Sequence, residues 1–68
     1  MTFNKSTADV LFMKGEYEAA ARMYLSGAED GIEIAAYDYA YCLLHGYGVE
    51  CDPERAKSFF TYARDMNG

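Results

Sequence analysis

The sequence predicts an all-α fold, an α/α solenoid of two stacked antiparallel helix hairpins with four helices in all. Between residues 35 and 67, alanines and aromatic residues recur at helical spacing on both sides of a glycine-containing hinge. The segment 8–31 repeats this plan with a shorter hinge. Because each helix has an apolar face, one hairpin needs a neighbour to cover it. We therefore predict a single domain, residues 1–68, with repeats at 7–31 and 32–68.

The first two helices are predicted from a capping pattern and two glycines. The stretch from Ser6 to Asp9 matches a capping box, in which the hydroxyl accepts a backbone amide proton and the acidic side chain reaches back. Gly15 ends this first helix, since glycine readily takes the left-handed conformation there. The second helix starts almost at once with Glu16, continues through several alanines, and ends at Gly31.

The third helix is predicted over residues 32–45 and is apolar or aromatic on nearly its whole surface. A helix of this kind lies between neighbours or lines a groove. It is followed by a glycine-rich loop, in which Val49 is expected to pack back onto the helices. Asp52 as N-cap and Pro53 at the first helical position then open the last helix, which ends with the chain at Asn67 and Gly68.

Charge and composition limit the classes of partner. The net charge is −5 and the sequence pI is about 4.5, so the protein repels nucleic acids and anionic membrane surfaces. We expect a partner that is basic or apolar, and neither nucleic acid nor membrane. No apolar run reaches the ~20 residues of a membrane span. Two cysteines without a recognisable export signal predict a cytoplasmic protein with free thiols.

The residues that most resemble a chemical site lie around the second hinge. Cys42, His45, Cys51 and Asp52 are of metal-ligating types, but no second close pair of cysteines completes a zinc pattern. His45 is better explained as a cation at a helix C-terminus than as a catalytic base, since nothing indicates a substrate pocket. We expect no metal, no cofactor and no enzymatic activity.

One string of residues keeps the register of a known repeat: Tyr39, Ala40, Leu43, Gly46, Gly48, Val49, Asp52, Ala56, Phe59, Phe60 and Ala63. The segment 35–67 resembles the Sel-one-like repeat, a relative of the tetratricopeptide repeat, whose helix pairs stack in a right-handed solenoid. The segment 8–31 looks like a second copy whose hinge is five residues shorter. Arg64 departs from the family, which usually has alanine there, and Tyr39 replaces the usual leucine.

The resemblance implies an adaptor that holds partner proteins and carries out no reaction. It also implies that the first helix of each pair lines a concave binding surface. In the first repeat this surface would comprise Phe3, Ser6, Val10, Met13 and Lys14. In the second it would comprise Ile34, Tyr37, Tyr41, Leu44 and His45. Tyr37 and Tyr41 are one turn apart, so we expect them to project side by side towards a bound peptide.

The alternative function is self-association. The last helix has no following helix to cover it, so apolar surface is expected there, formed by Phe59, Phe60, Tyr62, Ala63 and Met66. A homodimer whose final helices pack together would bury this surface. A third, enzymatic interpretation would require a pocket around His45, which the sequence does not predict.

Overall fold

The structure, a computed structural model, describes residues 3–66, and in this part of the chain the regular secondary structure is all helical, without strands. Four helices follow one another: α1 (Lys5–Met13), α2 (Tyr17–Glu29), α3 (Glu33–His45) and α4 (Pro53–Met66). The all-α prediction with four helices is confirmed. The predicted stop at Asn67 and Gly68 lies outside the described residues.

Each helix packs mainly on the helix before and after it in the chain, as in a stack of helical hairpins. The Cα atoms span 32 × 26 × 15 Å, so the molecule is about two helices thick in its shortest direction. Small residues allow this close packing. Ala20 and Ala56 are 0% and 1% exposed, as the hairpin arrangement requires, and Ala28, Ala36 and Ala63 form a second small cluster.

The start of α1 differs from the sequence prediction. Asn4, and not Ser6, is the N-cap, because its side-chain oxygen accepts a hydrogen bond of 3.1 Å from the amide of Thr7. The capping box is therefore wrong: Ser6 and Asp9 lie inside the helix. This earlier start brings Lys5 into the first turn, where its ammonium group pairs with Asp9 one turn along the helix.

The polar link between the hairpins involves the same residues. The Nζ of Lys5 lies 3.1 Å from a carboxylate oxygen of Asp38 on α3, and the hydroxyl of Tyr24 on α2 donates a hydrogen bond to Asp9. This hydrogen bond is the largest cause that lowers the pKa of Asp9. One small polar network thus connects α1, α2 and α3.

The loop between α3 and α4 matches its prediction. Gly46 ends α3 with a φ of 75°, in the left-handed region, and its amide donates to the carbonyl of Cys42. Val49 is half-buried against the main core. Asp52 caps α4 by accepting a hydrogen bond of 3.1 Å from the amide of Arg55. Within residues 3–66, no helix combines the length and the apolar character that crossing a membrane requires.

Candidate functional site

The most prominent surface feature is an apolar stripe along α3. Four large side chains of this helix are open to solvent: Ile34 is 49% exposed, Tyr37 38%, Tyr41 47% and Leu44 40%. Their spacing of three and four residues places them on one side of the helix. The opposite side carries Ala35, Ala36, Tyr39, Ala40, Cys42 and Leu43, all of which are buried. We call the four exposed residues the α3 stripe.

The two tyrosines of the α3 stripe have different neighbours. The Tyr37 ring lies 6.2 Å from that of Phe60 on α4, measured between centroids. The Tyr41 ring lies 4.5 Å from the His45 ring and stacks on Tyr47 of the loop at 5.9 Å. Both remain partly exposed, so each keeps one face towards solvent while protein packing fixes the other.

An aromatic cluster continues the α3 stripe past the end of α3. Tyr47 lies 4.9 Å from Tyr17 at the start of α2 and 5.1 Å from Phe12 at the end of α1, between ring centroids. These contacts join the hinges of the two hairpins. Tyr17 and Tyr47 were not predicted from the sequence to lie at this surface. The sequence does contain a signal for this contact, because aromatic residues stand beside the glycines of both hinges. Such a concentration of rings indicates that the two hinges meet.

A groove of about 380 Å³ runs beside the α3 stripe, between α3 and α4. Its apolar lining includes Tyr37 and Leu44 from α3 and Phe60 from α4, with Ala56 at its base. The groove is also lined by two basic side chains and a hydroxyl, from Lys57, Arg64 and Thr61. Tyr37 and Leu44 were predicted from the sequence as binding residues. Lys57 was not, and Arg64 stood out in the sequence only as a departure from the repeat pattern.

The first hairpin contributes a separate depression. Val10 and Lys14 line an open groove of about 360 Å³ on α1, together with Leu11. Met13, next to it, is 85% exposed. Nine of the ten residues predicted for the concave surface are exposed, but only five of them line a depression: Ser6, Val10 and Lys14 line the one on α1, and Tyr37 and Leu44 line the groove between α3 and α4. Phe3, also expected there, is half-buried and packs instead against Tyr24.

The residues predicted for self-association are divided between core and surface. Phe59 is half-buried and meets Tyr39 edge to face at 4.9 Å, and Ala63 is fully buried. Ala63 therefore does not contribute apolar surface, contrary to expectation, because α4 turns it towards Ala28 and Ala36. Met66 is half-buried against that same cluster, Phe60 lines the groove, and Tyr62 is 44% exposed.

The residues of metal-ligating type are spread apart. Among the described residues, no three histidine, cysteine, aspartate or glutamate side chains gather closely enough to hold a metal ion. Cys42 is buried, and this burial raises the pKa of its thiol to about 11. Cys51 is exposed and donates to the carbonyl of Leu44. The nearest ring neighbours of His45 are tyrosines, and Asp52 is engaged in capping α4.

Comparison of the chain with protein-family models, with curated proteins and with solved structures found no match.

Proposed function

We propose that this protein is a non-enzymatic interaction module, of the Sel-one-like or tetratricopeptide-like kind, that binds a peptide or protein segment along the α3 stripe. The observation that carries the proposal is the stripe itself. A helix that is buried on one side and exposes four large apolar side chains in a row on the other has the pattern of a docking surface. Scattered single apolar residues would need no such explanation.

The geometry of the tyrosines supports peptide binding. Tyr37 and Tyr41 are held on one side by Phe60 and Tyr47, so their rotamers are restricted before a partner arrives. Pre-ordered side chains lose less conformational entropy on binding. Tyrosine also combines a large apolar ring with a hydroxyl, which is why it is enriched among the residues that dominate binding energy.

The test is a selection of displayed peptides against the wild-type protein, followed by calorimetry with substituted proteins. We expect the double substitution Tyr37→Ala and Tyr41→Ala to weaken the selected peptides at least about 30-fold, which corresponds to ~2 kcal/mol. Tyr62→Ala is the matched control, because Tyr62 is equally exposed but lies on α4 away from the stripe. Circular dichroism establishes that each variant is folded.

Two outcomes would contradict the proposal. One is that the selected peptides bind the double variant as tightly as the wild type. The other is that the wild type self-associates at micromolar concentration in sedimentation experiments and that Tyr62→Ala abolishes this while the tyrosines of the stripe have no effect. The second outcome would establish the alternative, an assembly protein that uses its last helix.

A further inference from the structure

We infer that the groove between α3 and α4 binds an acidic amphipathic helix, whose carboxylates pair with Lys57 and Arg64 while its apolar side chains contact Tyr37, Leu44 and Phe60. This inference rests on the proposed function and specifies the partner of the same region. It follows from a comparison of the two hairpins and from the charges that line the groove.

The first hairpin shows how the outward face of its second helix is covered. The outward face of α2 carries Ala21 and Ala28, each 1% exposed, because α3 packs across them and Ala63 of α4 also meets Ala28. Ala28 lies in one cluster with Ala36 of α3, and Ala21 in another with Tyr39. In this chain, the outward face of the second helix of the first hairpin is thus covered by a later helix.

The corresponding face of α4 carries no covering helix from residues 3–66. Ala20 corresponds to Ala56, and Tyr24 to Phe60, when α2 is aligned with α4. The same alignment places Lys57 where α2 has Ala21, and Arg64 where it has Ala28. Both basic side chains are exposed. The positions that contact α3 in the first hairpin are therefore cationic in the second.

These charges determine the chemistry of the occupant. Covering an unpaired ammonium or guanidinium group with apolar side chains costs several kcal/mol, so an alanine-rich helix like α3 would not fit. No carboxylate of the described residues lines the groove. The contact between Arg64 and Asp65 is 3.8 Å long and lies at the surface, where such pairs contribute at most ~1 kcal/mol. Carboxylates from a partner satisfy both charges.

The net charge of −5 does not oppose this conclusion. Interactions between exposed charges are largely screened beyond ~8 Å at physiological salt, so, apart from the weak contact of Asp65 with Arg64, acids elsewhere on the surface contribute little at the groove. Lys57 and Arg64 are seven residues apart, which is about 10 Å along the helix axis. A partner helix of about four turns, with two acids at the same separation beside an apolar stripe, matches this spacing.

The experiment uses two synthetic helical peptides of about four turns with the same apolar stripe. One carries glutamate and the other lysine at two flanking positions seven residues apart. Affinities are measured by calorimetry, and the binding site by backbone amide chemical shifts of the labelled protein. We expect the glutamate peptide to bind at least about tenfold more tightly and to shift the amides of Lys57, Phe60 and Arg64.

The matched variants test the charges directly. In the double variant Lys57→Glu and Arg64→Glu, the lysine peptide should bind more tightly than the glutamate peptide. Arg22→Glu with Arg55→Glu makes the same change in net charge on exposed residues that do not line the groove, and should keep the original order. We also expect the two peptides to differ less in affinity at high salt, because ion pairs of a peptide with Lys57 and Arg64 lie at the surface and are screened.

The inference would be overturned if both peptides bound equally, if neither shifted the groove amides, or if a second copy of the chain occupied the groove at the concentrations used. Equal binding with shifts confined to Tyr41 and Ile34 would leave the proposed function intact and exclude only the acidic partner. The proposed function is tested separately, by whether the peptides selected by display lose affinity for the double variant Tyr37→Ala and Tyr41→Ala.

Discussion

The backbone of Gly48 lies directly against the carbonyl group of Tyr17, so that a Cβ atom at position 48 would overlap the backbone at the start of α2. The φ of Gly48 is +72°, in the left-handed region that other residues rarely adopt. Glycine is required here for two independent reasons. This contact holds the second hinge against the first and places Tyr47 among the aromatic rings of both hairpins.

Substituting Gly48 with alanine should therefore destabilise the protein more than the same change at Gly31. Gly31 also has a positive φ, +81°, but a Cβ there would meet nothing within 4 Å. We expect a loss of about 1–2 kcal/mol for Gly31→Ala, from backbone strain alone. Gly48→Ala should lose at least ~1 kcal/mol more, because the loop must also move away from α2. Urea unfolding followed by circular dichroism measures both, and equal losses would show that the loop packs differently.

The second prediction concerns the two aromatic residues of α4 that sequence analysis assigned to self-association. Phe59 packs on Tyr39 in the core, so Phe59→Ala should lower the free energy of unfolding by about 2–3 kcal/mol. Tyr62 is 44% exposed, and Tyr62→Ala should cost at most ~1 kcal/mol. A domain of this length has little stability to spare, so the first variant should be partly unfolded.

This difference matters for interpreting oligomer measurements. A loss of self-association in Phe59→Ala would report unfolding, whereas the same loss in Tyr62→Ala would report a surface contact. Thermal unfolding of both variants distinguishes the cases. Similar stabilities for the two variants would contradict the position of Phe59 in the core.

The third prediction is a pH dependence that arises from the bond between Tyr24 and Asp9. The hydrogen bond from the Tyr24 hydroxyl lowers the pKa of Asp9; burial opposes this, and Lys5 lowers the pKa further. In the unfolded chain Asp9 titrates near its ordinary pKa of 3.8. The folded state thus gains stability above this pH, and the gain is lost as the pH falls through the lower folded-state pKa.

Tyr24→Phe should remove most of this gain. The Asp9 side chain is 38% exposed, so we expect a loss of about 1 kcal/mol near neutral pH, and a smaller loss in acid. The measurement is urea unfolding of both proteins from neutral pH down to about pH 2.5, well below the ordinary carboxyl pKa. The difference between the two curves isolates Asp9 from the other carboxylates. A difference that stays constant with pH would mean that the hydroxyl does not interact with the charged form of Asp9.

Several features could be predicted from the sequence because they depend on short stretches of chain. Gly46 and Asp52 define the end of α3 and the start of α4 through backbone conformation and a local hydrogen bond. The spacing of alanines and aromatic residues likewise predicted which sides of α3 are apolar. The sequence is less informative where two local signals compete. Both Asn4 and Ser6 are good N-cap residues, and the structure uses Asn4. The start of α1 at Lys5 is accompanied by the long-range pairing of Lys5 with Asp38.

The sequence by itself therefore determined four helices, their hinges, and a third helix that is apolar on nearly its whole surface. The tertiary structure decided which side of α3 is covered, that Tyr17 and Tyr47 meet, and that Lys57 and Arg64 line one groove with Tyr37. The physical reason is that helical periodicity fixes the direction of a side chain relative to its own helix axis. What it meets in that direction depends on how neighbouring helices pack, which involves residues distant in the chain.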